Sequence, residues 1–169
     1  GAIYSFALSN GKATYSTIDN APAVGICGTG LIDLIAELLR SETVDESGYI
    51  DDDYVICDGV SLACSDVRQY QLAKSAVCSA IITLMKRENV AYSDIESMYI
   101  SGGFSAKINI RNAADSGLLP TELADKAVPI NNSSLLGTVK FACDHCSLSF
   151  YTDNIEYIDL SSDPYFSEL

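Results

Sequence analysis

Glycines are the residues whose type and spacing best suit ligand chemistry in this chain. Ser97–Phe104 reads SMYISGGF. Met98 to Ser101 has the apolar character of a short buried strand, and Gly102 and Gly103 follow at once. A glycine pair at the carboxyl end of a strand lets the backbone turn tightly and approach a ligand with no Cβ in the way. In open α/β sheets, ligands tend to bind just beyond those strand ends. An ordinary turn has the same composition, so function must come from the surroundings. A second stretch, Gly25-Ile26-Cys27-Gly28-Thr29-Gly30, feeds directly into a helix. Free N–H groups and the positive dipole end there suit a phosphate or a ribose. Close packing accounts for the glycines equally well, and the stretch lacks both the P-loop lysine and the full GxGxxG spacing. Gln71 and Lys74 lie one helical turn apart and can meet the same ligand, although a solvated helix face carries such residues too. Cys143, His145 and Cys146 are the one cluster of metal-ligating types. A lone CxxC is a weak zinc signal, and the two cysteines continue an apolar helical stripe as small buried thiols do.

Elements to position these residues can be read along the chain. Ile3–Leu8 and Ala13–Ile18 form a hairpin through Asn10-Gly11. Leu31, Leu34, Ile35 and Leu38 recur at helical spacing, with Asp33 and Glu37 on another face. Residues 41–53 are polar and acidic and read as a surface loop. Tyr54–Cys57 and Val60–Cys64 form a second hairpin around Asp58-Gly59. The longest helix runs from about Asp66 to Glu88, with Ser65 as N-cap. Tyr70, Ala73, Val77, Ile81 and Leu84 line its apolar face. After the strand and glycine pair comes a short helix opened by Asn109 and closed by Gly117, with Pro120 preventing continuation. One turn at Thr121–Lys126, a strand at Ala127–Ile130 and a helix through Leu135, Val139, Ala142 and Cys143 follow. Asn154–Leu160 reads as a last strand, and Asp163–Leu169 as the start of a helix. Alternating strands and helices in the second half imply a mixed sheet covered on both faces, an α/β fold in a single domain over 1–169.

Size and charge exclude several classes. The chain has 169 residues, 48% of them apolar, enough for one domain that buries roughly 70% of its unfolded surface. Apolar runs fall far short of the roughly 20 residues that span a bilayer, and no signal-peptide pattern is present. Ten Lys and Arg face 23 Asp and Glu, a formal charge of −13, so the basic footprint of a nucleic-acid binder is missing. The six cysteines are scattered rather than dense, which points to reduced thiols in a cytoplasmic protein.

Several pieces together resemble one family: GICGTGLIDLIAELL at Gly25–Leu39, VRQYQLAKSAV at Val67–Val77, YISGGF at Tyr99–Phe104, NAADSGLLP at Asn112–Pro120, NxxLxG at Asn132–Gly137 and IEYIDLSSDPYF at Ile155–Phe166. In order and over nearly the whole chain, they resemble the C-terminal actin-like ATPase region of the reductive activators of corrinoid proteins. The resemblance implies a ribonuclease H-like fold. It implies ATP with Mg²⁺ as ligand, bound with the help of an upstream lobe, and an iron–sulfur cluster in an upstream domain that supplies the electron. The activity implied is ATP-driven reduction of cob(II)alamin to cob(I)alamin on a corrinoid protein or corrinoid-dependent methyltransferase. A homodimer is left open.

The resemblance assigns residues piecemeal. Gly102 and Gly103, with Phe104 beside them, match the adenosine-binding turn of actin-like ATPases. Gln71 and Lys74 match the chaperone helix whose acid and lysine flank the adenosine, with Gln71 in place of the acid. Gly28, Thr29 and Gly30 open a helix facing the same cleft. The chain departs from the family at Ser101 and Ser105, where AGGFG is usual, and at Asn131, where glycine is usual. It has no DxGT strand pair for Mg²⁺ and no four-cysteine cluster spacing, so the expectation is a C-terminal lobe that has no ATPase activity alone. Two other readings stand beside this one. In an activator of acyl-CoA dehydratases, a cysteine before a GTG helix start bridges a cluster, and Cys27 lies two residues too close for that. A non-catalytic interaction or dimerisation module is the third reading.

Overall fold

The computed structural model describes residues 1–103, 105–144, 152–153 and 155–167. β1 (Ala2–Ser9) and β2 (Lys12–Thr17) form the expected antiparallel hairpin, with Asn10 and Gly11 both at positive φ in its turn. Such a pair suits the right-handed twist of the flanking strands. The short β3 (Gly25–Ile26) joins the other edge of β1 in parallel, giving the order β2-β1-β3. α1 (Gly28–Arg40) then lies across β1 and presents Ile32, Leu34, Ile35 and Leu38 to the core. β4 (Tyr54–Cys57) and β5 (Val60–Leu62) pair as the second hairpin. α2 (Cys64–Arg87), β6 (Met98–Ile100), α3 (Ile110–Asp115), β7 (Ala127–Pro129), α4 (Ser133–Asp144) and α5 (Pro164–Ser167) complete the order, with β6 and β7 paired in parallel.

The α/β class and the mixed strand directions agree with the sequence, but among the described residues the strands form three small sheets rather than one. The main core gathers Phe6, Leu34, Leu38, Leu62, Val67 and Leu119. The acidic stretch 41–53 is not merely a surface loop, because Val44 and Ile50 point inward and are 1% and 6% exposed. Its bend is held by the Asp45 carboxylate, which accepts from the Ser47 hydroxyl at 2.6 Å and the Tyr49 N–H at 2.9 Å.

Four expectations change. Ser65 is not the N-cap of α2. The helix starts at Cys64, and the Asp66 carboxylate accepts from the Ala63 N–H while Asp53 accepts from that of Cys64. Two acids thus satisfy the N–H groups of the N-cap and of the first helical residue. The apolar face of α2 is rotated from the expected one. Val67 and Tyr70 are buried, whereas Val77 and Leu84 are 43% and 44% exposed. α4 forms where expected, but Leu135 and Val139 stay more than half exposed. Lastly, residues 155–159 carry no regular structure, and Asn154 lies outside the described residues. The alternating Ile155 and Tyr157 find no partner strand, and the Asp159 carboxylate, accepting from the Ser161 N–H at 3.0 Å, turns the chain into a 3-10 segment at Leu160–Ser162.

A polar connection runs through the centre. The buried Asp33 carboxylate accepts from the Phe6 N–H at 3.2 Å and from the Asn112 amide at 2.6 Å. The Asn112 carbonyl oxygen accepts in turn from Arg40, whose guanidinium also meets Glu37 at 2.7 Å and Asp115 at 2.8 Å. Asn109 caps α3 by accepting from the Asn112 N–H, and Gly117, at φ +79°, ends that helix. Hydrogen bonds to a charged group are worth about 1.5–3 kcal/mol each, and unpaired buried partners cost more. Asp33→Ala should therefore lower unfolding free energy by about 3 kcal/mol, read from urea midpoints. A second expectation concerns acid. Arg40 and Arg111 hold the Asp115 carboxyl below the usual carboxylate range, and Arg87 does the same for Asp163. Groups depressed in the folded state stabilise it above their unfolded pKa of about 3.9. Thermal midpoints should hold to about pH 5 and fall as pH drops through about 4.

Candidate functional site

The diglycine turn sits where the sequence places it. β6 ends at Ile100, and Gly102 adopts φ +107°, a conformation that strains any residue with a Cβ. The serines that depart from the family pattern brace this turn. The Ser105 hydroxyl and N–H both donate to the Gly102 carbonyl, at 2.8 and 3.2 Å. The Ser101 hydroxyl reaches the Asn131 carbonyl at 3.2 Å and the Ser133 hydroxyl at 2.7 Å, and it accepts from the Ser133 N–H at 2.9 Å. Both departures thus add hydrogen bonds where the usual residues, alanine and glycine, have no side-chain donor. Phe104 lies outside the described residues, as do His145 and Cys146.

Gly103 is exposed and lines a cleft of about 580 Å³ with Tyr4, Thr17, Ile18, Asp19, Asn20, Cys27, Thr29 and Lys107. That volume lies within the usual range for small-molecule sites. A Cβ built on Gly103 meets nothing within 4 Å, so its face is open. The other wall is the start of α1. Here the glycines divide their work. Gly30 is pressed against the Ile3 carbonyl, where a Cβ would overlap backbone. Thr29 is 4% exposed, and its hydroxyl donates to the Tyr4 carbonyl at 2.8 Å. Gly28 begins the helix, and the Cys27 N–H donates to the Ile3 carbonyl at 2.9 Å. The GTG stretch therefore docks α1 onto β1 and in doing so sets one wall of the cleft. Lys107 supplies the cation, its ammonium 5.0 Å from the centre of the Tyr4 ring. That arrangement is a cation–π contact. Sequence reading missed Lys107 and Tyr4. The available signal was a lysine four residues beyond the glycine pair.

Gln71 and Lys74 stand elsewhere. The Gln71 amide donates to the Ser47 carbonyl at 2.6 Å, and its oxygen accepts from Arg68 at 3.3 Å. Lys74 lies along Gly117 and lines a separate cleft of about 780 Å³ with Arg40, Glu42, Asp45, Glu46 and Asp115. No cavity found among the described residues is lined by both Gly103 and Lys74. The residues expected around one ligand thus fall into two groups that line no common cavity among the described residues.

Together with the hairpin and crossing helix, the braced turn at the end of a parallel strand defines an actin-like, ASKHA-type domain. The chain belongs to the family described as the C-terminal domain of RACo, the ASKHA domain, which matches residues 1–169. It is 30% identical over 149 residues to the corrinoid activation enzyme RamQ of Eubacterium limosum, covering 71% of this chain and 25% of that protein. It is 31% identical over 114 residues to the [Co(II) methylated amine-specific corrinoid protein] reductase of Methanosarcina barkeri, covering 67% of this chain and 21% of that protein. A solved structure, a reductive activator for corrinoid, iron–sulfur protein, superposes with a TM-score of 0.87 at 29% identity, over 99% of this chain and 31% of that one. The chain therefore spans about a quarter of the length of the curated relatives it matches. No described helix is long and apolar enough to cross a membrane.

Cys27 has its own chemistry at the cleft wall. Burial pushes its thiol up, but hydrogen bonding with the Thr29 hydroxyl and to the N–H groups of Gly30 and Thr29 outweighs this and brings it down. Burial pushes the Cys78 thiol up, and Lys74 only partly opposes it. Because thiolate is the nucleophile, iodoacetamide at neutral pH should label Cys27 ahead of Cys78, as peptide mass spectrometry would read.

Proposed function

We propose that this chain is the C-terminal nucleotide-binding lobe of an ATP-dependent reductive activator of corrinoid proteins. The observation that carries the reading is the likeness to a solved reductive activator over 99% of the chain, at a TM-score of 0.87. The braced diglycine turn, opening onto a cleft of about 580 Å³, supports it from the side of chemistry. An adenosine fits a site of this kind. Gly102 and Gly103 let the nucleoside lie against bare backbone. Thr29 and the first turn of α1 form the opposite wall. Lys107 offers a positive charge to an anionic ligand in a chain whose overall field repels one. Mg²⁺ and the phosphates are the share of the upstream lobe. When bound, ATP would supply the free energy that differs between closed and open forms of the protein, which is the only way a ligand can drive a conformational change.

Electron transfer to cob(II)alamin on a corrinoid protein or corrinoid-dependent methyltransferase is the proposed outcome. The electron would come from an iron–sulfur cluster in another part of the polypeptide. Gln71 and Lys74 are proposed as a second group that flanks the adenosine, on the strength of the QLAK match. The cytoplasm is the proposed compartment. Calorimetric titration of the full-length protein with ADP tests the site. Gly103→Trp should weaken binding at least tenfold, because a Cβ there meets nothing within 4 Å and the indole would occupy part of the cleft that Gly103 lines. Lys74→Ala should also weaken binding where both groups clasp one nucleotide. Loss in Gly103→Trp alone confines the nucleotide to the Gly103 cleft and removes Gln71 and Lys74 from it. Unchanged affinity in both variants overturns the nucleotide site.

A further inference from the structure

The strand that carries the diglycine turn has two unlike edges. On one side β6 pairs in parallel with β7, in the register Met98↔Ala127, Tyr99↔Val128 and Ile100↔Pro129, and the Ile130 N–H donates to the Ile100 carbonyl at 2.8 Å. The N–H and C=O of one strand residue point to the same edge, and successive residues alternate. Met98 and Ile100 therefore direct their backbone groups to β7, and Tyr99 directs both of its own to the opposite edge. No strand among the described residues pairs there. On β7, Val128 and Ile130 face β6, so Pro129 is turned outward, where it has no N–H to offer.

This asymmetry tells which edge is finished. Native sheets blunt their exposed edges with proline or charge. β7 has that device at an outward position, whereas Met98–Ile100 has neither proline nor charge. Two parallel strands are also too few, because independent stability takes about three, and parallel sheets have both faces covered. One face of β6 is covered here, since Met98 and Ile100 pack against the main core. On the other face Tyr99 and its register partner Val128 are 67% and 41% exposed.

We infer that the Tyr99 edge of β6 receives a further strand, supplied by the part of the polypeptide outside these 169 residues. The inference rests on the reading of this chain as one lobe of a longer activator, as its 31% share of the solved relative and 25% share of RamQ suggest. A second copy suits the edge less well. Twofold pairing through a three-residue strand offers one pair of hydrogen bonds around Tyr99 and too little area for stable association. A strand of the same polypeptide does not meet the entropy cost of bringing two molecules together. Neighbouring strands lie about 4.8 Å apart, so the end of the added strand beside Ile100 adjoins the diglycine turn.

Hydrogen exchange resolved to single residues in the full-length protein tests this. The Tyr99 amide should exchange within about tenfold of the Ile100 amide, which bonds β7. Pro129→Ala restores an N–H on the outer edge of β7, and the new amide at position 129 should exchange about a hundredfold faster than that of Tyr99. Exchange at Tyr99 more than tenfold ahead of Ile100 would mean an open edge and overturn the added strand. A new amide at position 129 as slow as Tyr99 would overturn the assignment of β7 as the finished edge. Protection of Tyr99 that is lost on dilution, as dimer passes to monomer, would give the edge to a second copy and overturn its assignment to the same polypeptide. ADP titration of the same sample keeps the two readings apart. ADP binding with an open Tyr99 edge strikes the added strand alone, and a protected Tyr99 without ADP binding strikes the nucleotide site alone.

Discussion

One buried carboxylate organises this domain. Asp33 sits on the core-facing side of α1, 5% exposed, and joins the backbone of β1 to the side chain of Asn112 on α3. Removing a charge from water is costly unless it is hydrogen-bonded on arrival. Its two partners come from sequence positions 27 and 79 residues away, so the arrangement is satisfied only when strand and both helices are in place. Apolar packing among Phe6, Leu34, Leu38 and Leu119 tolerates small shifts, whereas this junction does not. It fixes the angle of α1 against β1, and that angle sets the wall formed by Cys27 and Thr29. The same connection continues outward through Arg40 to Asp115 and orients α3, which follows the diglycine turn.

The structure also separates two uses of glycine that look alike in the chain. Gly30 is small because a carbonyl lies against it. Gly102 is glycine because its backbone has positive φ. Gly103 has neither constraint, and its bare face is what the cleft presents.

Much of the fold was legible because it is written in local chemistry. Asn10-Gly11 specifies a hairpin turn, the Leu31–Leu38 spacing specifies a helix, and Asn109 and Gly117 mark the ends of α3. What escaped was settled by distant partners. Ser65 has the right hydroxyl for a cap, but Asp53 and Asp66 bind the N–H groups of Cys64 and Ala63 and the helix begins one residue before it. Tyr157 and Ile155 have strand alternation, yet neither pairs with a strand among the described residues. Val44 and Ile50 sit in an acidic run whose composition conceals them. In the site, the glycine pair was visible from its position after an apolar run. Lys107 was not, because a single lysine carries no periodic signal. That Gln71 and Lys74 line cavities apart from Gly103 depends on how α2 packs against the rest of the chain, which no spacing within α2 can report.

The bond between Ser101 and Ser133 ties the floor of the cleft to α4. That helix is exposed along its first two turns, and hydrogen bonds at its amino end fasten it to the strand that carries the glycines. Twelve residues of helix make a rod of about 18 Å. The backbone that carries the diglycine turn is thus joined through side-chain hydroxyls to a helix that faces solvent.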